Sequence, residues 1–128
     1  MKIVIAPDSF KGCLRSIDVA TAIRKGLADV LPEAELVAFP MADGGEGTTE
    51  ALTFAAGGRF VELDVEGPLA APVRARYGII PGDVAVMEMA AASGIELVPT
   101  AQLDPLQAST FGTGEMIMDA VRRGVKQI

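Results

Sequence analysis

The chain has 128 residues, half of them hydrophobic, with one Cys and no His. It can therefore bury an ordinary core, but it cannot build a His-based triad, a disulfide framework or a cysteine metal cluster. Its net charge of -6 argues against non-specific nucleic-acid binding, because that binding needs clustered Lys and Arg to displace counterions.

The first half of the chain alternates predicted strands and helices. Residues 2–6 form a short β-branched run, and Ser16 is placed to cap a helix from residue 17 to about residue 31. A second strand is predicted at residues 35–39, and a second helix from Thr48 or Thr49 to Ala56. This order favours an α/β fold that starts with a parallel sheet.

The next segment has the alternation of an antiparallel hairpin. Residues 60–66 place Val and Leu on one face and acidic residues on the other, and residues 73–79 place Arg74 and Arg76 on their polar face. Acidic side chains on one strand and basic ones on its neighbour suit an antiparallel pair with a solvated face. We therefore predict a mixed sheet, with a parallel βαβα start and an antiparallel hairpin.

The last third of the chain carries a buried run, an irregular stretch and a helix. Residues 84–89 predict a buried strand, and Thr113 is placed to cap a helix over residues 114–123. Residues 125–128 resemble the start of another strand, so we interpret the C-terminus as a truncation and expect an open sheet edge that favours self-association. No apolar run is long enough to span a bilayer, and the apolar stretch at the N-terminus is too short for a signal peptide. We therefore expect a cytoplasmic protein with no membrane partner.

The loop after the first predicted strand carries Asp8, Ser9 and Lys11. An Asp leaving a strand can hold Mg²⁺, directly or through water, and a nearby Lys can neutralise a phosphate or carboxylate. The alternative is a polar turn whose Lys is solvated.

The loop after the second predicted strand is rich in glycine. Its residues are Asp43, Gly44, Gly45, Glu46, Gly47 and Thr48. Glycines before a helix expose backbone N–H groups and make an anion site, while the two acids suit a cation or substrate hydroxyls. The alternative is a tight turn with helix-capping acids. Because both loops leave the same end of a parallel sheet, we expect Asp8, Lys11, Asp43 and Glu46 to meet in one cleft.

Two further features stand in the second half. Thr110, Gly112 and Thr113 precede the last predicted helix and offer hydroxyls and backbone donors to a phosphate, although Thr113 could simply cap the helix. Glu88 lies in an apolar run, where its carboxylate must be paired, ligated or at the strand end. The chain has no Walker A motif, so general motifs alone indicate an α/β domain that binds a small anion.

Longer strings resemble the bacterial glycerate kinase family. They are IAPDSFKG at residues 5–12, PMADGGEGT at residues 40–48, EMAAASG at residues 88–94 and FGTGE at residues 111–115. They run through the whole chain in order, which makes the resemblance far more specific than any single loop.

The resemblance implies ATP-dependent phosphorylation of glycerate, with ATP and Mg²⁺ as cofactors and 2-phosphoglycerate as the product. It also implies two α/β domains facing a cleft, which places residues 1–59 in the first domain and residues 60–128 at the start of the second. Members of the family are longer than this chain, so we expect the chain alone to be inactive. The alternative function is a noncatalytic module that binds a small anion.

The resemblance also implies roles for individual residues. The catalytic group comprises Asp8, Lys11 and Asp43, and the two Asp carboxylates would also hold Mg²⁺. The residues that would bind substrate and phosphate are Ser9, Gly44, Gly45, Glu46, Gly47, Thr48, Glu88, Ser93, Thr110, Gly112 and Thr113. The residues themselves leave open the identity of the general base and which glycerate hydroxyl is phosphorylated.

Overall fold

Residues 1–10, 13–42 and 44–128 are described by a computed structural model of the chain. The chain divides into two units, Met1–Ala51 and Leu52–Ile128. The boundary between residues 59 and 60 that follows from the family resemblance stays a prediction.

The first unit contains two parallel strands and a long helix. Strand β1 (Lys2–Ile5) pairs in parallel with β2 (Glu35–Ala38), and α1 (Ser16–Val30) connects them. Helix α2 (Thr48–Ala55) follows β2. This βαβα order is the one that the sequence predicts.

Helix α1 differs from the sequence-based prediction in two details. Arg15 holds the N-cap position and Ser16 is the first helical residue, where its side chain is buried, so the predicted cap at Ser16 is wrong. Val19 is buried, but Ile23 further along the predicted apolar stripe is 41% exposed. A fifteen-residue helix is about 22 Å long and four-residue strands are about 13 Å long, so α1 extends beyond the sheet that it covers.

The second unit contains an antiparallel sheet and the remaining helices. Its elements are β3 (Arg59–Glu66), β4 (Pro72–Ile80), β5 (Val84–Val86), α3 (Ala90–Ser93) and α4 (Phe111–Arg122), with short 3₁₀ turns at Ile95–Leu97 and Thr100–Gln102. The strands pair in the order β3-β4-β5, and residues 125–128 return to β5 through a parallel bridge between Val84 and Gln127.

The predicted hairpin is confirmed by the pairing of β3 with β4. Val61 lies opposite Tyr77 and Asp64 opposite Arg74. The Arg74 guanidinium lies 3.2 Å from the Asp64 carboxylate and 3.5 Å from that of Glu62 on the solvated face. The α/β class, the parallel start and the antiparallel hairpin are thus confirmed. The strands form two sheets where the sequence predicts one mixed sheet, because each set pairs within its own unit.

A small apolar core lies between the antiparallel sheet and α4. The Tyr77 and Met116 side chains have no exposed surface, and Val61, Val65, Ala75, Ala85, Ala92 and Ala120 surround them. The Tyr77 hydroxyl donates to Asp119 Oδ2 at 2.7 Å, and Arg123 Nε donates to the same oxygen at 2.7 Å. The Arg123 hydrogen bond is the main reason that the pKa of Asp119 lies below its ordinary value. This network anchors α4 to β4.

Burial of the Tyr77 ring, followed by its hydrogen bond to the Asp119 carboxylate, raises the pKa of Tyr77 to about 12. Since the chain has one Tyr and no Trp, a spectrophotometric phenolate titration reports this residue alone. We expect a midpoint near 12 in the folded protein. The pKa is raised on folding, so the associated stability is complete below pH 10 and is lost as pH rises through about 12.

The control for this titration is Asp119→Asn, which removes the carboxylate and keeps the ring buried. Its midpoint should fall but stay above the ordinary value of 10, because burial is the larger cause of the shift. A midpoint near 10 in a chain that circular dichroism shows to be folded would contradict the assignment.

Some apolar surface of α4 points away from this core. Phe111, Met118 and Val121 are each at least half exposed. The predicted self-association stays a prediction, and these side chains are where it is best tested. Within the parts of the chain that the structure describes, no helix is both long enough and apolar enough to cross a membrane.

Candidate functional site

The two loops of the first unit start side by side. Beyond the ends of β1 and β2, Phe39 N donates to Ile5 O at 2.8 Å and Met41 N donates to Pro7 O at 2.9 Å. The backbone before Asp8 and the backbone before the glycine-rich loop therefore run together past the sheet edge. That edge, at the carboxyl ends of parallel strands, is where α/β proteins bind ligands.

The first loop places an exposed carboxylate next to the strand end. Asp8 is exposed, and its Oδ1 accepts a 2.7 Å hydrogen bond from the backbone N–H of Ser9, which is partly buried. Phe10 and Leu14 then exchange backbone hydrogen bonds of 2.9 and 3.0 Å, which close the loop. Lys11 lies outside the described residues, so its predicted role is not tested.

The second loop has the backbone geometry that its glycines allow. Gly44 and Gly47 have φ angles of 92° and 85°, in the left-handed region where a side chain is strained. Gly47 O accepts from Ala51 N at 3.0 Å, which begins the hydrogen bonding of α2. Glu46 is exposed beside them, and Asp43 lies outside the described residues.

Thr48, the first residue of α2, has a buried hydroxyl that finds no hydrogen-bond partner among the described residues. A buried polar group without a partner calls for an explanation, and a bound substrate or ion is one. That Thr48 contacts a ligand stays a prediction.

The predicted Mg²⁺ site involves Asp8 and Asp43. Within residues 1–10, 13–42 and 44–128, no three His, Cys, Asp or Glu side chains come together as a metal site. Mg²⁺ is usually held by one or two carboxylates plus waters and substrate phosphates, so the exposed oxygen donors of Asp8 fit that demand. Mg²⁺ binding stays a prediction.

In the second unit, the structure brings Ser93 and Thr113 together. The Ser93 Oγ lies 2.8 Å from Thr113 Oγ1, in a partly buried contact between α3 and α4. Thr110 is exposed at the N-cap position of α4. Only the Ser93 and Thr113 hydroxyls are shown in contact, and the binding of substrate or phosphate by these three residues stays a prediction.

The start of α4 corrects the sequence-based prediction. The helix begins at Phe111, three residues before the predicted start at Gly114, so Thr113 is inside the helix and not its cap. The Ser109 hydroxyl instead accepts a 3.0 Å hydrogen bond from the Phe111 backbone N–H. A Ser earlier in the chain can satisfy the first helical N–H, which frees Thr113 to pair with Ser93.

Gly112 has a packing role in addition to its predicted binding role. A Cβ atom at this position would lie 1.9 Å from the Glu66 carbonyl oxygen, so any side chain would push α4 away from β3. Nearby, the Glu66 N–H donates to the Glu115 carboxylate at 2.7 Å. Close packing of α4 on β3 is thus one reason for glycine here.

Glu88 lies just past the end of a strand and not within it. Strand β5 ends at Val86, which is shorter than predicted, and Glu88 is partly buried between β5 and α3. Its backbone carbonyl accepts from Ala91 N at 3.2 Å. Glu88 therefore lies at the strand end, one of the places expected for it, and this position avoids the cost of full burial.

Two networks of charged side chains could not be predicted in full from the sequence. The first is Arg15, which pairs with Asp18 and Glu50. Asp18 follows Arg15 at a spacing of three residues, a signal that sequence reasoning can use, but Glu50 is 35 residues away and only the tertiary structure reveals it. The second is Asp119 with Arg123, whose i,i+4 spacing predicts a helix-surface pair but not the bond to Tyr77.

A model of the "Glycerate kinase family" matches residues 3–128. The chain belongs to this family. It is 50% identical over 129 residues to the Glycerate 2-kinase of Escherichia coli, and 49% identical over 129 residues to the Glycerate kinase of Bacillus subtilis. In both cases the match covers 100% of this chain and 34% of the relative, so the chain spans about a third of their length.

A solved structure shows the same fold. The crystal structure of a putative glycerate kinase 2 from Salmonella typhimurium LT2 superimposes with a TM-score of 0.80 at 51% sequence identity. The match covers 98% of this chain and 34% of that one. The resemblance noted in the sequence motifs is therefore confirmed at the level of the family and of the α/β fold.

Proposed function

We propose that this chain takes part in ATP-dependent phosphorylation of glycerate. The observation that carries the proposal is the pair of loops that leave adjacent parallel strands, at residues 8–9 and 44–48, in a chain that matches the family over residues 3–128. Phosphoryl transfer needs positioning and charge neutralisation more than covalent chemistry, and these loops offer both.

In this proposal the glycine-rich loop binds anionic oxygens of the substrates. The left-handed Gly44 and Gly47 turn the backbone ahead of α2, whose first N–H groups carry a partial positive charge. The Thr48 hydroxyl, which has no hydrogen-bond partner in the part of the chain that the structure describes, is proposed to add a donor at the same place. In the second unit, Ser93, Thr110 and Thr113 are proposed to offer further hydroxyls.

The acidic and basic residues of the loops take the charged roles. Asp8 and Asp43 are proposed to hold Mg²⁺ or to orient the glycerate hydroxyl and accept its proton, and Lys11 to neutralise phosphate or carboxylate charge. Mg²⁺ bound there would offset the charge on the transferred phosphoryl group.

We also propose 2-phosphoglycerate as the product, since one relative at 50% identity is named Glycerate 2-kinase. Because the chain spans about a third of the length of such relatives, residues 1–128 are proposed to supply only part of the groups that surround donor and acceptor. Preorganised groups around both substrates supply most of the rate in such reactions. The chain alone is therefore expected to bind substrate without converting it to product.

A chimera tests the proposal. Residues 1–128 replace the matching segment of the Escherichia coli Glycerate 2-kinase, and transfer of labelled γ-phosphate from ATP to glycerate is followed, with phosphorus NMR identifying the product. We expect Mg²⁺-dependent formation of 2-phosphoglycerate by the chimera and none by the chain alone. A chimera that is folded and binds ATP but forms no phosphoglycerate would favour the noncatalytic anion-binding alternative.

A further inference from the structure

Arg15 bridges two carboxylates from different helices of the first unit. Its Nε lies 2.9 Å from Asp18 Oδ2, and its Nη2 lies 3.3 Å from Asp18 Oδ1. Its Nη1 lies 3.0 and 3.4 Å from the two carboxylate oxygens of Glu50. We call this three-residue contact the Arg15 bridge.

The Arg15 bridge joins the far ends of the two loops. Asp18 is in the first turn of α1, after the loop that carries Asp8, and Glu50 is in the first turn of α2, after the glycine-rich loop. At their near ends the loops are already joined by the hydrogen bond from Met41 N to Pro7 O. Each described loop segment is thus fixed at its start by the sheet and at its finish by this bridge.

The bridge does not have the character of an anion site. All three guanidinium nitrogens of Arg15 contact carboxylates, and two negative charges surround one positive charge. The guanidinium is therefore already satisfied, and its surroundings repel a phosphate. Planar, forked donors suit such a two-sided contact, and Lys cannot reproduce it.

We propose that Arg15 is a positioning residue for the reaction, which holds the Gly44–Thr48 segment at a fixed place relative to Asp8. The inference rests on the proposed function. The Arg15 side chain is 58% exposed and that of Glu50 is 20% exposed. Because water reaches the guanidinium, this ion pair contributes modestly to global stability, so the main effect should appear in substrate binding. Displacement of the loop that binds substrate by about 1 Å is enough to weaken its contacts with the substrate.

The kinetic test uses the chimera. We expect Arg15→Ala to raise the KM for glycerate or ATP about tenfold, with kcat within about threefold and Tm within about 2 °C of the unmodified chimera. Arg15→Lys should recover only part of the loss. Glu50→Gln should act like Arg15→Ala, and the double variant should be no worse than either single one, because both break the same contact.

Arg74→Ala is the matched control. Arg74 has the same 58% side-chain exposure and also bridges two carboxylates, those of Asp64 and Glu62, on the hairpin. The Arg74→Ala variant should leave the KM values for glycerate and ATP unchanged. If Arg15→Ala and Arg74→Ala have the same kinetics, or if the Arg15 and Glu50 effects simply add, Arg15 is not a positioning residue.

A second measurement separates this inference from the proposed function. In the 128-residue chain itself, amide hydrogen exchange of Ala51, whose N–H bonds Gly47 O, should be several-fold faster in Arg15→Ala than in the unmodified chain. Unchanged exchange at Ala51 overturns the inference even if the chimera is active. An inactive unmodified chimera with faster exchange at Ala51 refutes the proposed function and leaves the bridge between the loops established.

Discussion

Asp8→Asn in the chimera should lower kcat for glycerate phosphorylation by about a hundredfold or more, since it removes a charge proposed to hold Mg²⁺ or to accept the hydroxyl proton. Stability should barely change. The Asn side chain has the same shape, and its carbonyl oxygen can still accept the 2.7 Å hydrogen bond that Ser9 N–H gives to Asp8 Oδ1. The measurements are steady-state kinetics with glycerate and ATP, together with thermal melting. Asp43→Asn should behave in the same way.

Asp83→Asn is the matched control for these variants. Asp83 is an exposed turn residue with a φ of 58°, a conformation that Asn also tolerates. Its carboxylate pairs with Lys126 at 2.7 Å, and both side chains are more than half exposed. This variant should keep kcat within about twofold, as expected for a weak surface ion pair. If Asp8→Asn lowered Tm as severely as it lowered kcat, the result would point to a structural role for Asp8.

Gly112→Ala should destabilise the chain by about 3 kcal/mol or more, the upper range for overpacking, because the new Cβ would lie 1.9 Å from the Glu66 carbonyl oxygen. A backbone atom cannot swing aside as a flexible side chain can, so α4 must move off β3. Movement of α4 also weakens the 2.7 Å bond between Glu115 and Glu66 N–H and the bond from Tyr77 to Asp119. Urea denaturation followed by circular dichroism gives the free energy of unfolding.

Gly114→Ala, two residues further along α4, is the control and should change stability in the opposite direction. A Cβ at Gly114 meets nothing within 4 Å among the described residues. Ala in a helix interior is favoured over Gly by about 0.5–1 kcal/mol, so this variant should be slightly more stable. If Gly112→Ala were as stable as the unmodified chain while the corresponding chimera lost activity, ligand binding and not packing would explain the glycine.

The strands and loops with strong local patterns could be predicted from the sequence. Alternation at residues 60–66 and 73–79 predicts the pairing of Glu62 and Asp64 with basic residues on β4, and the structure has that pairing. The turn in the glycine-rich loop could also be predicted, because glycine is the residue that best adopts the left-handed backbone found at Gly44 and Gly47. The family motifs lie on these same segments, which is why the membership could be inferred from the sequence.

Helix ends were less predictable, because several residues compete to cap them. Thr113 and Ser109 both lie near the start of α4, and the sequence-based prediction chose Thr113. The structure uses Ser109 for the Phe111 N–H, while Thr113 bonds to Ser93 from a different helix. Only the contact between α3 and α4 makes the second arrangement available.

The sequence by itself therefore determined the order of elements, the hairpin, the glycine-rich turn and the family, since each depends on residues close together along the chain. The tertiary structure alone decided the Arg15 bridge to Glu50, the bond from Tyr77 to Asp119 and the close approach of Gly112 to Glu66. Each of these contacts joins residues more than 30 positions apart. Hydrophobic periodicity and local propensity carry no information about such pairs, because the distance between their atoms is set by how helices pack on sheets.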